Sequence, residues 1–508
     1  MLPIIQPVRI SCHSLLRALL LVMALKAVAA APSRDANVLF ICVDDLKPLI
    51  HCFGDAHAVT PNLDRLAARG VQFDRAYCNQ SVCAPSRFNL LVGSRSTTLG
   101  IYGFGRDFRT VFPDAVTLPQ YFKQHGYTAA SIGKVFHIGH GLYDDEPSWS
   151  RPSIHGKVIE YLLPESTENW KLSREEALFG NIRTSVPRNK LVRGSAWESV
   201  DVPDNAYSDG RMATEAVRAL AEFGRTREKF FLAVGFARPH LPFVPPKKYW
   251  DLYDPSRLPL AANPKPPDNA PAYALKGMIE LNQFSPIPLR GPLSEELQRR
   301  LIHGYYASVS YVDAQIGRVL DALEEAGLSE NTIVVVWGDH GYSFGTHGDW
   351  TKHSNYEEAM RIPVLFAGPG ITKGQPTSAM FETVDFYPTL AALAGLPPPA
   401  GPQPIDGRSQ ISVLKDPAHA VVRDHVYHAY PRNRQKLGGS WLGRAIRTSR
   451  YRLVVWQPFN NPSQAPDIEL YDYVADPHES ENVANRNPRV VAELQALLAQ
   501  EPPPRAPL

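Results

Sequence analysis

The chain is short of several things, and each shortage excludes a class of protein. Only five cysteines, Cys12, Cys42, Cys52, Cys78 and Cys83, occur in 508 residues, too few for a secreted scaffold stapled by disulfides. A basic surplus is missing too: 53 Lys and Arg stand against 51 Asp and Glu, and Arg9, Arg17 and Lys26 of the basic set fall within the first thirty residues. Without that surplus there is no broad electrostatic footprint for nucleic acid, and no nucleic-acid partner is expected. Internal repeats are not evident. The apolar run Leu15 to Val28 is broken by Arg17 and Lys26 and is shorter than the ~20 residues of a spanning helix.

Proline is abundant instead, 46 residues where a usual share of ~5% would give roughly half as many. Much ordered loop is therefore expected. Hydrophobic content of 44% and charged content of 20% are ordinary globular values. The first thirty-one residues combine a basic start, an apolar stretch and the small residues Ala27 to Ala31, the layout of an export signal cleaved near Ala30 or Ala31. An uncleaved anchor is the competing reading. On the export reading the mature protein is periplasmic or secreted, or lies in a lysosome-like compartment in a eukaryote, and has no membrane span.

From Asn37 onward, strand-like and helical patterns alternate, the signature of an α/β fold. The run Asn37 to Val43 is continuously apolar, as in a central strand covered on both faces. Lys229 to Phe236 and Thr332 to Trp337 have the same character, and Ile362 to Ala367 reads as a fourth strand. Thr60-Pro61 opens a short helix, and Glu295 to Ala326 is a long amphipathic one ended by Gly327. Residues 262–293, rich in Pro and Asn, read as an extended surface excursion. A second break at Leu396 to Pro404 separates a catalytic domain, residues 35–400, from a small C-terminal α+β subdomain, residues 401–508.

In an open parallel sheet, sites form beyond the carboxyl ends of the strands. Asp44-Asp45 follows the first strand directly, and Asp339-His340 follows the strand ending at Trp337, after Gly338. Two adjacent acids alone would also serve as a turn cap. Two such pairs at two strand ends instead suggest one divalent-cation site, and three carboxylates favour a hard ion, Ca²⁺ or Mg²⁺. His340 is atypical for Ca²⁺, which leaves the metal's identity open.

The sharpest local signal is Cys83-Ala-Pro-Ser-Arg87, continued by Phe88 to Gly93. It resembles the signature of the sulfatase family, Cys-x-Pro-Ser/Ala-Arg with an apolar helical continuation, in which the cysteine is oxidised to formylglycine. Gly126 to His137 resembles the family's second signature, with Ala129 where Ser or Thr is usual. Ala237 to Phe243 resembles its histidine segment and Gly338 to Lys352 its metal and lysine segment. The resemblance extends to Glu469 to Asn482, and is strongest to the iduronate-2-sulfatase type, through Gly-Lys-Val-Phe-His137, His340 in place of the more usual Asn, and Pro239-His240-Leu-Pro-Phe243.

That resemblance implies an alkaline phosphatase/sulfatase-like fold, a large, mixed, mostly parallel sheet between helices, and a sulfuric ester hydrolase. It implies one Ca²⁺ or Mg²⁺ on Asp44, Asp45, Cys83, Asp339 and His340, and catalytic roles for Cys83, Arg87, Lys134, His137, His240 and Lys352. Sulfate carries charge on several oxygens, so cations on several sides suit it. Arg87, one turn beyond Cys83, would steady the aldehyde hydrate; Lys134 and Lys352 would flank the sulfate. One hydrate hydroxyl would attack sulfur, His240 with Lys352 would protonate the leaving oxygen, and His137 would take a proton from the other hydroxyl and expel sulfate. A formylglycine-generating or equivalent enzyme is the implied maturation partner.

The substrate implied is a sulfated oligo- or polysaccharide, with 2-O-sulfate on a uronic acid whose carboxylate would meet Lys352 and His353. Tyr342 stands where the iduronate type has a different aromatic, which suggests a reshaped sugar pocket. His303 and His347 have only substrate-side or structural expectations. A phosphodiesterase or phosphonate hydrolase of the same superfamily and a non-catalytic sulfoglycan-binding protein are the other two readings. An unmodified Cys83 would be a thiol nucleophile or a plain core residue; Cys42 reads as strand filler, and spacing does not support a Cys52 to Cys78 bridge.

Overall fold

The structure is a computed structural model that describes residues 35–508 except 276, 279, 435–438 and 462. The export signal and Cys12 lie outside the described residues. Seven strands build the principal sheet: β1 (Asn37–Val43), β2 (Gly70–Tyr77), β3 (Thr128–Gly133), β4 (Phe230–Phe236), β5 (Thr332–Gly338), β6 (Val364–Ala367) and β7 (Gln375–Glu382). Their spatial order is β7-β2-β6-β5-β1-β4-β3, with the two-residue strand Arg361–Ile362 also on β2. Contacts β1–β4, β1–β5, β3–β4 and β2–β7 are parallel. β6, the fourth strand expected from sequence, runs antiparallel to both of its neighbours.

The continuous apolar run of β1 follows from its place in the middle of the sheet. Alternate side chains leave a strand on opposite faces, and here both faces are dry: Leu39, Ile41 and Val43 enter one core, Val38, Phe40 and Cys42 the other. The first core is roofed by α2 (Ser208–Thr226) and the 31-residue α3 (Glu295–Glu325), the second by α1 (Cys83–Val92) and α4 (Phe386–Leu393). This division also decides the cysteine question. Cys78 belongs to the second core while Cys52 packs against the first, and both are free thiols, as are Cys42 and Cys83.

The C-terminal unit is an antiparallel sheet of β8 (His425–Arg434), β9 (Gly439–Thr448), β10 (Tyr451–Pro458) and β11 (Asp467–Asp472), in that order. Leu494 and Leu498 of α5 (Pro488–Leu498) cover one face with Ile446, Leu453 and Leu470. Trp456, Val454 and Tyr471 on the other face pack with Tyr356 and Ala274 of the larger unit. Val413, Leu414 and also Val426 of β8 belong to the second large core. No helix among the described residues is long and apolar enough to cross a membrane.

Candidate active site

The register of the central strands places the polar groups. Val43 is level with Phe236 on β4 and with Gly338 on β5, so the residues that follow β1, β4 and β5 emerge together at one edge. The Asp44 amide donates to Phe236 O at 3.1 Å and the Asp339 amide to Val43 O at 3.3 Å. β3 ends one strand further out, where Gly133 has φ +79° and a Cβ would lie 2.0 Å from Gly235 O. That close approach lets the Lys134 amide reach Gly235 O at 2.9 Å and brings Lys134 to the same edge.

Residue 83 enters from above as the first residue of α1, a helix buried at all ten positions. Cys83 Sγ lies 3.2 Å from His340 Nε2 and 3.9 Å from Asp45 Oδ1. Asp45 Oδ1 is 3.2 Å and Asp339 Oδ1 3.6 Å from His340 Nε2. Two overlapping groups of donors result, Asp44, Asp45, Cys83 and His240, and Cys83, Asp339 and His340, each with its ligand atoms within 4.8 Å of one another. With His240 left to the cavity side, the three buried carboxylates, the His340 imidazole and residue 83 are a mainly hard-oxygen donor set that fits a divalent cation of the Ca²⁺ or Mg²⁺ kind.

The basic residues anticipated from sequence are all buried here, and each pairs with a ligand carboxylate. Lys134 Nζ contacts Asp44. Arg87 donates from Nη2 to Asp44 Oδ1 at 2.9 Å and from Nε to Asp339 Oδ2 at 3.1 Å. Its remaining donors go to the Lys134 and Val135 carbonyls, so Arg87 locks the carboxylates and the β3 turn together. Lys352 Nζ lies 2.8 and 2.9 Å from the two oxygens of Asp45. Burial alone would raise the Asp44 carboxyl, but Lys134 and Arg87 outweigh it and hold the group well below the carboxylate range. For Cys83, burial and then Asp44 push the thiol well up, away from the thiolate that a cysteine nucleophile needs.

His240 sits in a turn fixed by Asp209, whose carboxylate accepts from the Ala237 and Arg238 amides at 2.8 and 2.7 Å. His137 stands apart from the cavity lining, with Nε2 3.1 Å from His140 Nδ1. Burial first, then Lys134 and His140, pull its pKa well down.

Beside Cys83 opens a cavity of about 440 Å³. Its lining includes Cys83, His240, Lys352 and His353, and several residues that sequence reasoning missed: Phe104, His140, Arg174, Glu175, Phe179, Arg188 and Glu280. Phe104 stacks on His140 at 4.0 Å, and Phe179 meets His240 edge-on at 5.2 Å. Glu280 is the most connected of the missed group, reaching Lys352 at 2.8 Å, His353 at 3.0 Å and His240 at 3.2 Å. It comes from the 262–293 excursion, which is anchored rather than superficial: Leu281, Phe284 and Ile287 are fully buried.

The structure places each residue expected on the sugar side. Tyr342 is 1% exposed and packs on Tyr305 and Phe344 in the core, away from the cavity. His303 bonds to Trp250 O at 2.8 Å and His347 to His478 O at 2.9 Å, both structural. Lys352 and His353 do reach the cavity, but each is already bonded to Glu280.

A sheet edge with these donors and cations beside one buried cysteine matches known proteins over most of the chain. The sulfatase family matches residues 36–396, and the family described as N-sulphoglucosamine sulphohydrolase, C-terminal, matches residues 345–502. The chain belongs to the sulfatase family. It is a sulfuric ester hydrolase of the iduronate-2-sulfatase-like type: it is 33% identical to iduronate 2-sulfatase of Mus musculus, over 88% of this chain and 91% of that protein. A sulfatase of Formosa agariphila is 32% identical over 92% of this chain and 86% of its own. Among solved structures, a phosphonate monoester hydrolase of Agrobacterium radiobacter superposes with a TM-score of 0.71 at 21% identity, covering 92% of this sulfatase and 95% of that chain, a likeness of fold.

Proposed function

We propose that the protein removes sulfate esters from a sulfated glycan, specifically the 2-O-sulfate of a uronic acid, using formylglycine made from Cys83. The observation that carries this reading is the cavity in which residue 83, His240 and Lys352 meet beside carboxylates grouped closely enough to hold a cation, in a chain 33% identical to an iduronate 2-sulfatase. Asp44, Asp45, Asp339, His340 and residue 83 would hold one Ca²⁺, with Mg²⁺ as the alternative, supplying positive charge against the sulfate oxygens. The aldehyde hydrate at residue 83 would supply two hydroxyls, one to displace the sugar alcohol at sulfur and one whose deprotonation would expel sulfate.

The chain's own groups do the rest. His240 and Lys352 face the cavity as donors to the departing sugar oxygen. His137, buried beside His140, would be the base of the second step. Arg87 keeps the carboxylates in place, and Lys134 offsets their charge. For a uronate carboxylate the cavity offers Arg174 and Arg188, Arg188 exposed at its edge, in preference to the Lys352 and His353 pair. Because Cys83 is 1% exposed, the maturation enzyme would meet it before the chain folds. Residues 1–31 would direct export, with the mature protein starting near residue 31 or 32, and the catalytic and C-terminal units would divide near residue 400.

Sulfate release from 2-sulfated uronates, 6-sulfated hexosamines and an aryl sulfate tests the reading, beside turnover of a phosphodiester. Preference for the 2-sulfated uronate is expected. Preference for the hexosamine would remove the uronate assignment, and faster phosphodiester turnover would favour the phosphonate-hydrolase reading.

A further inference from the structure

Two acids, Glu175 and Glu280, line the cavity with no part in the scheme above, and Glu280 is the one that contacts His240 and Lys352. Glu280 has a side chain 17% exposed and places a single oxygen, Oε1, 2.8 Å from Lys352 Nζ and 3.2 Å from His240 Nε2. Its other oxygen lies 3.0 Å from His353 Nε2, whose Nδ1 is 2.9 Å from the Tyr430 hydroxyl. Tyr430 belongs to β8, so the carboxylate ties the small C-terminal sheet to the cavity wall.

On the other side of the His240 ring, Nδ1 donates to Leu241 O at 2.6 Å. Carbonyl and carboxylate oxygens accept and cannot donate. A ring held between two acceptors is therefore fixed in orientation, with Nε2 facing Glu280 at the cavity wall. The second donor, Lys352, is oriented by the same oxygen.

We propose that Glu280 is a positioning residue that aligns His240 and Lys352 as joint proton donors to the leaving oxygen of the sulfate ester. The inference rests on the sulfatase reading. In the step it serves, a bond would form between sulfur and the hydroxyl oxygen on residue 83, whose proton would pass to Asp45, 3.9 Å from residue 83. The bond from sulfur to the sugar oxygen breaks, its electron pair stays on that oxygen, and the oxygen takes the proton from His240 Nε2 or Lys352 Nζ. A sugar alkoxide leaves poorly without that proton, whereas 4-nitrophenolate leaves without one. Glu280 should therefore matter in proportion to the basicity of the leaving group, which a merely structural residue would not.

The test is steady-state kinetics of full-length, metal-loaded enzyme with the formylglycine content of each preparation matched. Wild type, Glu280→Gln and Glu280→Asp are assayed on a 2-sulfated uronate disaccharide and on 4-nitrophenyl sulfate. The ratio of kcat for the sugar sulfate to kcat for the aryl sulfate is expected to fall at least ~10-fold in Glu280→Gln, a part of the ~10²–10⁴-fold that general acid catalysis contributes. Glu280→Asp, which keeps the charge, should recover part of that loss. Equal losses on both substrates, or no loss on either, would overturn the inference while leaving the sulfatase reading intact. Wild type releasing sulfate from neither substrate would remove that reading, and the inference with it.

Discussion

Arg87 Nη2 lies 2.9 Å from Asp44 Oδ1, a fully buried ion pair that joins the helix carrying residue 83 to the end of the central strand. The same guanidinium reaches Asp339 from Nε, so one side chain organises both halves of the proposed cation site. Removing one partner of a buried pair leaves an uncompensated charge, at a cost of about 3–5 kcal/mol. Arg87→Met should lower the thermal midpoint accordingly, and calorimetry of the purified variant checks it. An unchanged midpoint would mean that the carboxylates do not depend on Arg87.

The donor geometry around Asp45, Asp339 and His340 predicts one bound divalent ion per chain. Elemental analysis should find one equivalent, and Asp339→Ala should lose it together with activity. Dialysis against a chelator should lower the melting temperature, with recovery on adding Ca²⁺, since a ligand that binds only the folded state stabilises it by mass action. Retention of metal by Asp339→Ala would mean that the site has been assigned to the wrong residues.

Arg188 is exposed at the cavity edge, with Glu175 in the same lining, and Arg174 beside it bonds Gln283. If they meet the uronate carboxylate, Arg188→Ala should reduce the ratio of kcat/KM for the 2-sulfated uronate to that for an aryl sulfate. A charge-assisted hydrogen bond contributes ~1.5–3 kcal/mol, which corresponds to a ~10-fold or larger fall. An unchanged ratio would move carboxylate recognition elsewhere in the cavity.

The two units are clasped by Glu357, whose Oε2 accepts from Arg452 Nη2 at 2.7 Å and from Arg447 Nε at 3.1 Å. Burial would raise this carboxyl, but the two arginines outweigh burial and hold it at about 2, against an ordinary 4.5. A depressed folded pKa gives stability that is complete above the unfolded value and is lost as pH falls through the folded one. The clasp should therefore weaken between pH 4.5 and about 2, by on the order of 3 kcal/mol in all. Urea titrations should show Glu357→Gln less stable at pH 7 and converging with wild type near the bottom of that window. A constant gap between the two proteins would contradict the ionic account.

Most of the strand framework and the metal-side residues were legible because each lies in one contiguous stretch. An apolar run covered on both faces, such as Asn37 to Val43, announces a central strand, and the acids after it fall at the carboxyl edge as the fold requires. Strand direction was not legible: the pattern Ile362 to Ala367 is equally apolar either way, and only pairing reveals that β6 is antiparallel. Glu280 was invisible because a lone acid in a Pro-rich stretch carries no periodicity. Its role arises from distant partners, Lys352 and His240, and its segment's burial depends on Leu281, Phe284 and Ile287 reaching the core. Tyr342 misled for a related reason, since adjacency to a motif does not say which face a side chain takes.

The central claim, that residue 83 acts as formylglycine in sulfate-ester hydrolysis, is tested most directly by measuring sulfate release against the converted fraction of Cys83. Preparations from hosts with and without the maturation enzyme, quantified by peptide mass spectrometry, provide the range. Rate on the 2-sulfated uronate should rise in proportion to conversion and vanish with it, and Cys83→Ala should be inactive. Full activity from protein carrying only unconverted Cys83 would contradict the account.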